Sequence, residues 1–313
     1  MEHTRTRSRQ SSFLMFEVEL LRIRPLSPTL SRFTFTGPDL DQFADNGYDQ
    51  RIKLVFPLPG IGLESVPTGD DWYSEWRSLP VGRQNPIRTY TVRQVRADER
   101  EIDVDIVLHG DAGPASAWAS RAQPGDPLVI LGPNRGFDGV CGGVDFVPPA
   151  HTETILLVGD ETALPAIASI LERLAPDARG LALVEVPHLG DAAALVAHVG
   201  VEVRVVARGA GDPGSALLPA VRAATGMLLG PGGRGGVGDL EKLDDVDVDS
   251  VLLWEVPVSD AGVPLCESTE LYAWVAGEAG VVKEVRRHLV RECGLDRASV
   301  AFMGYWRLGR ADI

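Results

Sequence analysis

The chain has 313 residues, of which 44% are hydrophobic and 24% charged, values of a globular protein of about two domains at roughly 150 residues each. Acids outnumber bases 44 to 30, a formal net charge of -14, which excludes general nucleic-acid binding and adhesion to an anionic membrane surface; an anionic substrate would need a local basic patch. Three scattered cysteines without a CxxC pair make neither a disulfide framework nor a zinc or iron–sulfur site, so a reduced, cytoplasmic setting is expected and no metal ligand set is assigned.

The first twelve residues are rich in Arg, Ser and Thr without the apolar centre of a secretory signal, and are expected to form a disordered tail. Strand-like stretches follow at 13–23, 30–36 and 51–56, the last stopped by Pro57 and Pro59. Residues 60–86 are polar, carry Trp72, Tyr73 and Trp76, and are expected to be a long loop. Strands resume at 87–95 and 101–108, a short helix opens at Pro114, and a further strand covers 127–131. Six short strands and one helix predict a small antiparallel β-barrel.

The pattern then changes. An apolar strand at 154–158 precedes a helix at 163–174, a strand at 181–186, a helix at 191–199, a strand at 201–206 and a helix at 215–225. A glycine-rich stretch and an acidic run at 240–249 lead to strands at 250–256 and 271–276, a helix at 280–293 and a last strand at 300–306. Strands alternating with helices predict a doubly wound parallel sheet. The expected division is a tail 1–12, a β-barrel domain 13–136, a linker 137–152 and an α/β domain 153–313. No stretch reaches the ~20 apolar residues that span a bilayer.

Three motifs carry chemistry. In 88–93, RTYTVR, alternation along a strand sets Tyr90 opposite Thr89, Thr91 and Arg93. A flavin uses such residues: an aromatic surface for its ring, a hydroxyl near its reactive nitrogen, and a guanidinium fork for its pyrophosphate. In 109–119, HGDAGPASAWA, a strand passes through a glycine loop into a helix start, where backbone N–H groups suit phosphate. Read alone, a polar strand and an ordinary helix start explain both as well. In 159–167, GDETALPAI, an apolar strand ends where a dinucleotide would sit, and its acids would leave phosphate contact to backbone amides and Thr162. Gly230–Gly235 matches GxGxxG but follows a helix, in a chain with 34 glycines, and is set aside as coincidence.

Taken in order, with WVAGE at 274–278 and GYWRLG at 304–309, these motifs resemble the siderophore-interacting protein family of the ferredoxin–NADP reductase superfamily, the flavin-dependent ferric-siderophore reductases. The resemblance covers nearly the whole chain after the tail. It implies an FAD-binding β-barrel followed by a nicotinamide-binding α/β domain. It places Arg88, Tyr90, Thr91, Arg93, His109, Ala115, Ser116 and Trp118 on FAD. It sets Asp160, Glu161, Thr162, Ala276, Gly277 and Glu278 beside the nicotinamide nucleotide. Arg208, after the strand at 201–206, is where a base meets the 2′-phosphate of NADPH, or is a surface arginine.

The implied activity passes electrons from NADPH or NADH through FAD to siderophore-bound Fe(III), releasing Fe(II) for use inside the cell. Many ferric siderophores are anionic, and Lys53 (one of only three lysines), Arg307 and Arg310 are the candidate docking bases, or solvated surface bases. Tyr305 and Trp306 either pack near the flavin or fill the core, the core reading being preferred. Two alternatives stand: a related flavin reductase serving a ferredoxin or small acceptor, and a non-enzymatic siderophore-binding protein. One chain holds both cofactor sites, so a monomer is expected, without nucleic-acid partner or membrane insertion.

Overall fold

The structure, a computed structural model, describes residues 11–69, 71–108, 113–193, 195–230 and 253–310. His109, the acidic run at 240–249 and all of the GxGxxG stretch except Gly230 lie outside the described residues.

Seven strands build the first half: β1 (Phe13–Pro25), β2 (Leu30–Thr36), β3 (Arg51–Val55), β4 (Ile87–Thr91), β5 (Gln94–Arg96), β6 (Glu101–Val107) and β7 (Pro127–Pro133). They form one antiparallel sheet in the order β4-β3-β7-β1-β2-β6-β5. The expected single strand at 87–95 is therefore two strands at opposite edges of the sheet, joined only by Val92 and Arg93. Two residues span less than about 8 Å, so the edges must meet and the sheet curls into a barrel. Val92 N–H donates to Gln50 O and Arg93 N–H to Asp103 O, each at 2.9 Å, fixing that corner. Alternation points Phe16, Val18 and Leu20 of β1, Phe33 and Phe35 of β2, and Ile102, Val104 and Ile106 of β6 into one core.

The expected loop at 60–86 contains a helix, α1 (Trp72–Ser78), and a 3-10 turn at Val81–Arg83. Tyr73 and Trp76, three residues apart, stack at 5.8 Å, and the Trp76 indole donates to Asn85 O at 2.9 Å. Asn85 in turn donates to Phe56 O and Gly62 O, pinning the segment to the end of β3.

After α2 (Pro114–Ala119) the second half runs β8 (His151–Gly159), α3 (Leu164–Arg173), β9 (Gly180–Val186), β10 (Val201–Ala207), α4 (Leu217–Leu228), β11 (Trp254–Glu255), β12 (Ser268–Glu278), α5 (Ala279–Arg286) and β13 (Val300–Trp306). A π-helical turn at Arg287–Glu292 extends α5. The sheet order is β10-β9-β8-β12-β13-β11, parallel except for β11. Its winding reverses between β8 and β12, which makes their carboxyl ends the switch point. α3 packs on one face, α4 and α5 on the other.

One expectation fails here. The helix at 191–199 is only a 3-10 turn at Leu189–Ala192, because Asp191 turns to cap that turn and accept from Ser27 Oγ at 2.7 Å across the molecule. Of the strand expected at 250–256, residues 250–252 lie outside the described residues and β11 covers Trp254–Glu255. Gly180 marks the tightest approach in the sheet: a Cβ there would lie 2.0 Å from Ile155 O. Gly180→Ala is expected to cost about 1–3 kcal/mol as β8 and β9 are forced apart, read as a fall of several degrees in Tm; an unchanged Tm would refute that packing.

No helix among the described residues is long and apolar enough to cross a membrane.

Candidate functional site

The register Ile52↔Tyr90 and Leu54↔Arg88 puts Arg88 and Tyr90 on the core-facing side of β4, an edge strand. Tyr90 joins Trp118 and Ala115 of α2 in one apolar cluster, and Arg88 Nη1 donates to Ile87 O at 2.9 Å. Trp118 packs against Phe33, Phe35 and Phe56, with centroid distances of 5.9, 6.2 and 5.4 Å. These contacts seat α2 across the barrel, and its first residues Ala115 and Ser116 are buried. Gly113, at φ +107, makes the turn into the helix, a conformation L side chains resist. Burial pushes the Tyr90 phenol up to about 12, so it stays protonated and can donate. Thr91 is buried on the other side of β4.

Arg93 is placed differently from the expectation. It lies past the end of β4, and its guanidinium grips the Glu172 carboxylate of α3 with both nitrogens. It also lies 3.9 Å from Asp105. It ties the barrel to the α/β half rather than standing open to a pyrophosphate.

Lys53, on β3, pairs with Thr89 on the outer face of the barrel, its Nζ 3.4 Å from Thr89 Oγ1. Burial, and then the neighbouring Arg51, holds its pKa below the ordinary lysine value. Arg51 stacks over Trp254 at 4.4 Å, and Trp254 stacks on Tyr305 at 5.8 Å. Lys53 and Arg307 each lie two residues beyond members of this stack, so β3 and the end of β13 are neighbours. Arg310 N–H donates to Arg307 O at 3.2 Å, closing a turn past β13.

At the switch point the register Ala276↔Gly159 brings all six nicotinamide-side candidates together. The expected repulsion by the acids is met within the protein. Asp160, 4% exposed, accepts from Thr162 N–H and Oγ–H at 2.8 and 2.5 Å, Glu278 N–H at 2.8 Å and the Trp306 indole at 2.7 Å. Burial, then the charge of Glu161, pushes its pKa up to about 6. Thr162 therefore spends both donors on Asp160 rather than on a phosphate. Glu278 caps α5 through Val281 N–H at 2.9 Å and accepts from Leu308 N–H at 3.2 Å. Gly277, at φ +143, leaves room for Asp160: a Cβ there would be 2.6 Å from Oδ2. Arg208 sits after β10 as expected, but is bound to Glu161.

One residue escaped sequence reasoning. Asp49, fully buried at the junction of the halves, accepts from Asp145 N–H and Phe146 N–H at 3.1 and 3.0 Å and from the Trp274 indole at 3.0 Å. Trp274 lies 225 positions away, and no local pattern marks an isolated loop acid as its partner. Tyr305, half-buried, packs against the core, the preferred side of the expectation, whereas Trp306 is the tether of Asp160.

The donor set at β4 and α2 fits FAD: a guanidinium and a protonated phenol on one strand face, beside a glycine turn into a buried helix start. The comparisons agree. The family description "Siderophore-interacting FAD-binding domain" matches residues 19–137, and "Siderophore-interacting protein" matches 152–309. An uncharacterized protein of Mycobacterium tuberculosis is 34% identical over 297 residues, 94% of this chain and 90% of that one. The ferric vibriobactin reductase ViuB of Vibrio cholerae is 35% identical over 56% of this chain and 59% of its own. An NADPH-dependent ferric-chelate reductase of Escherichia coli is 36% identical over 50% of this chain and 56% of its own. The crystal structure of a siderophore utilization protein from T. fusca superposes with a TM-score of 0.68 at 28% identity, covering 96% of each chain.

Proposed function

The chain belongs to the siderophore-interacting protein family, and on that premise we propose that it is a ferric-siderophore reductase, taking electrons from NADPH or NADH through FAD and delivering them to siderophore-bound Fe(III) inside the cell. The balance is one NAD(P)H oxidised for two ferric ions reduced. FAD, when bound, supplies the conversion between a two-electron donor and a one-electron acceptor. Arg88, with its fork of donors, would hold the pyrophosphate and Tyr90 would offer its ring, while Thr91, buried on the opposite side of β4, would back the strand that carries them. Ala115 and Ser116 would face the same group from the start of α2, with Trp118 as the packed support beneath.

Asp160 and Glu278 would act on the nicotinamide nucleotide by positioning: they hold the ends of β8, β12 and β13 together, and Ala276 and Gly277 form the floor. Lys53, Arg307 and Arg310 would supply cations to an anionic chelate within a protein of net charge -14. The ferrous product is released because hard oxygen donors hold Fe(III) better. In this reading residues 13–136 form the FAD domain and 153–313 the nicotinamide domain.

One observation carries the reading: Tyr90, on the face of β4 that also carries Arg88, and Ala115 at the start of α2 belong to one apolar cluster, although 25 residues separate them in sequence. The test is anaerobic spectroscopy of the FAD-loaded protein. NADH or NADPH is expected to bleach the flavin band, and a ferric hydroxamate chelate to restore it with two Fe(II) per nucleotide. A flavin that stays oxidised, or no flavin binding, overturns the reading.

A further inference from the structure

Arg208 is the base placed to meet a nucleotide ribose, and it is already engaged. Its Nη1 and Nη2 donate to Glu161 Oε2 and Oε1 at 2.6 and 2.5 Å. Nη1 also lies 3.8 Å from Glu185. The three side chains are 11%, 8% and 0% exposed. Glu185 is fixed in place, because it accepts from Gly214, Ala216 and Leu217 N–H at 2.7–2.9 Å. The cluster thus sets two carboxylates against one guanidinium and carries a net negative charge.

The two forms of the donor differ only at the ribose 2′ position. A 2′-phosphate brings about two further negative charges and reaches Arg208 only by breaking a bidentate, largely buried ion pair, which leaves Glu161 unpaired beside it. A free 2′-hydroxyl has no such conflict, because it can donate to a carboxylate, as acidic residues receive the NAD ribose in other doubly wound folds. We propose that Glu161 is the specificity-determining residue for the electron donor: by holding Arg208 it disfavours the 2′-phosphate and directs the reductase to NADH. This rests on the reading of the switch point as the nicotinamide-nucleotide site.

Specificity is read as the ratio of kcat/KM for NADPH to that for NADH. Wild type is expected to favour NADH, and Glu161→Gln to raise the ratio by about tenfold as Arg208 is freed, one charge-assisted contact being worth about 1.5 kcal/mol or more. The double variant Glu161→Gln, Arg208→Gln is expected to lose that gain. Titration of wild-type protein with 2′-AMP and 5′-AMP needs no variant and no turnover; 2′-AMP is expected to bind no tighter than 5′-AMP. A wild type that prefers NADPH tenfold, a ratio unmoved by Glu161→Gln, or 2′-AMP binding tenfold tighter overturns the inference alone. Failure of both nucleotides to reduce the flavin overturns the reading of the site and the inference with it.

Discussion

Arg88→Ala is expected to raise the dissociation constant for FAD by about ten- to a hundredfold. Arg88 lies on an edge strand, on the same face as Tyr90, and its Nη1 donates to Ile87 O at 2.9 Å. A charge-assisted hydrogen bond to phosphate is worth about 1.5–3 kcal/mol, and alanine removes it with the charge. Arg88→Lys keeps the charge but loses the fork, and is expected to fall between. Fluorescence titration of the apoprotein measures all three. Riboflavin, which has no pyrophosphate, serves as the internal control: its affinity should hardly change. FAD affinity within twofold of wild type in Arg88→Ala would remove Arg88 from the site.

Asp49→Ala is the largest expected loss of stability, about 2–4 kcal/mol. It strands the Trp274 indole N–H and the Asp145 and Phe146 amides in a buried junction, each worth about 1–3 kcal/mol if unsatisfied. Part of that is offset, because the ionised carboxylate is itself held at a cost. Burial, and then the charge of Asp145, push the pKa of Asp49 up to about 6 from 3.8. The sign follows from that direction. A carboxyl group with a raised folded pKa contributes stability that is full below pH 3.8 and is lost as pH rises through about 6. The cost of Asp49→Ala should therefore be greater at pH 5 than at pH 7.5, by on the order of 1–2 kcal/mol. Urea unfolding at the two pH values measures it, and an equal or smaller cost at pH 5 would contradict the assignment.

Much of the architecture is legible in the residues because it is local. Alternating Phe, Val and Ile in 13–23, 30–36 and 101–108 can bury only one face, and the structure has β1, β2 and β6 there. The apolar run before GDETALPAI ends at a strand–helix turn for the same reason. The misses are tertiary. RTYTVRQV keeps strand-like alternation throughout, yet it divides at Val92 because closing the barrel needs a corner there. Asp191 begins a helix-like stretch, but is diverted to Ser27 in the other half. The aromatic residues of 72–76 look like loop ornaments until Asn85 and Phe56 anchor the segment as a helix.

The sequence by itself determined the order of an antiparallel barrel and an α/β sheet and the family, since strand period, helix period and motif order are properties of neighbours along the chain. Only the tertiary structure decided how the charges are spent. Arg93 goes to Glu172, Arg208 to Glu161, and Asp160 to Trp306 and Glu278, separated by 47 to 146 positions. A buried charge must find a partner to offset its lost hydration. Which partner it finds depends on what the fold brings within hydrogen-bond reach, and spacing along the chain carries no record of that.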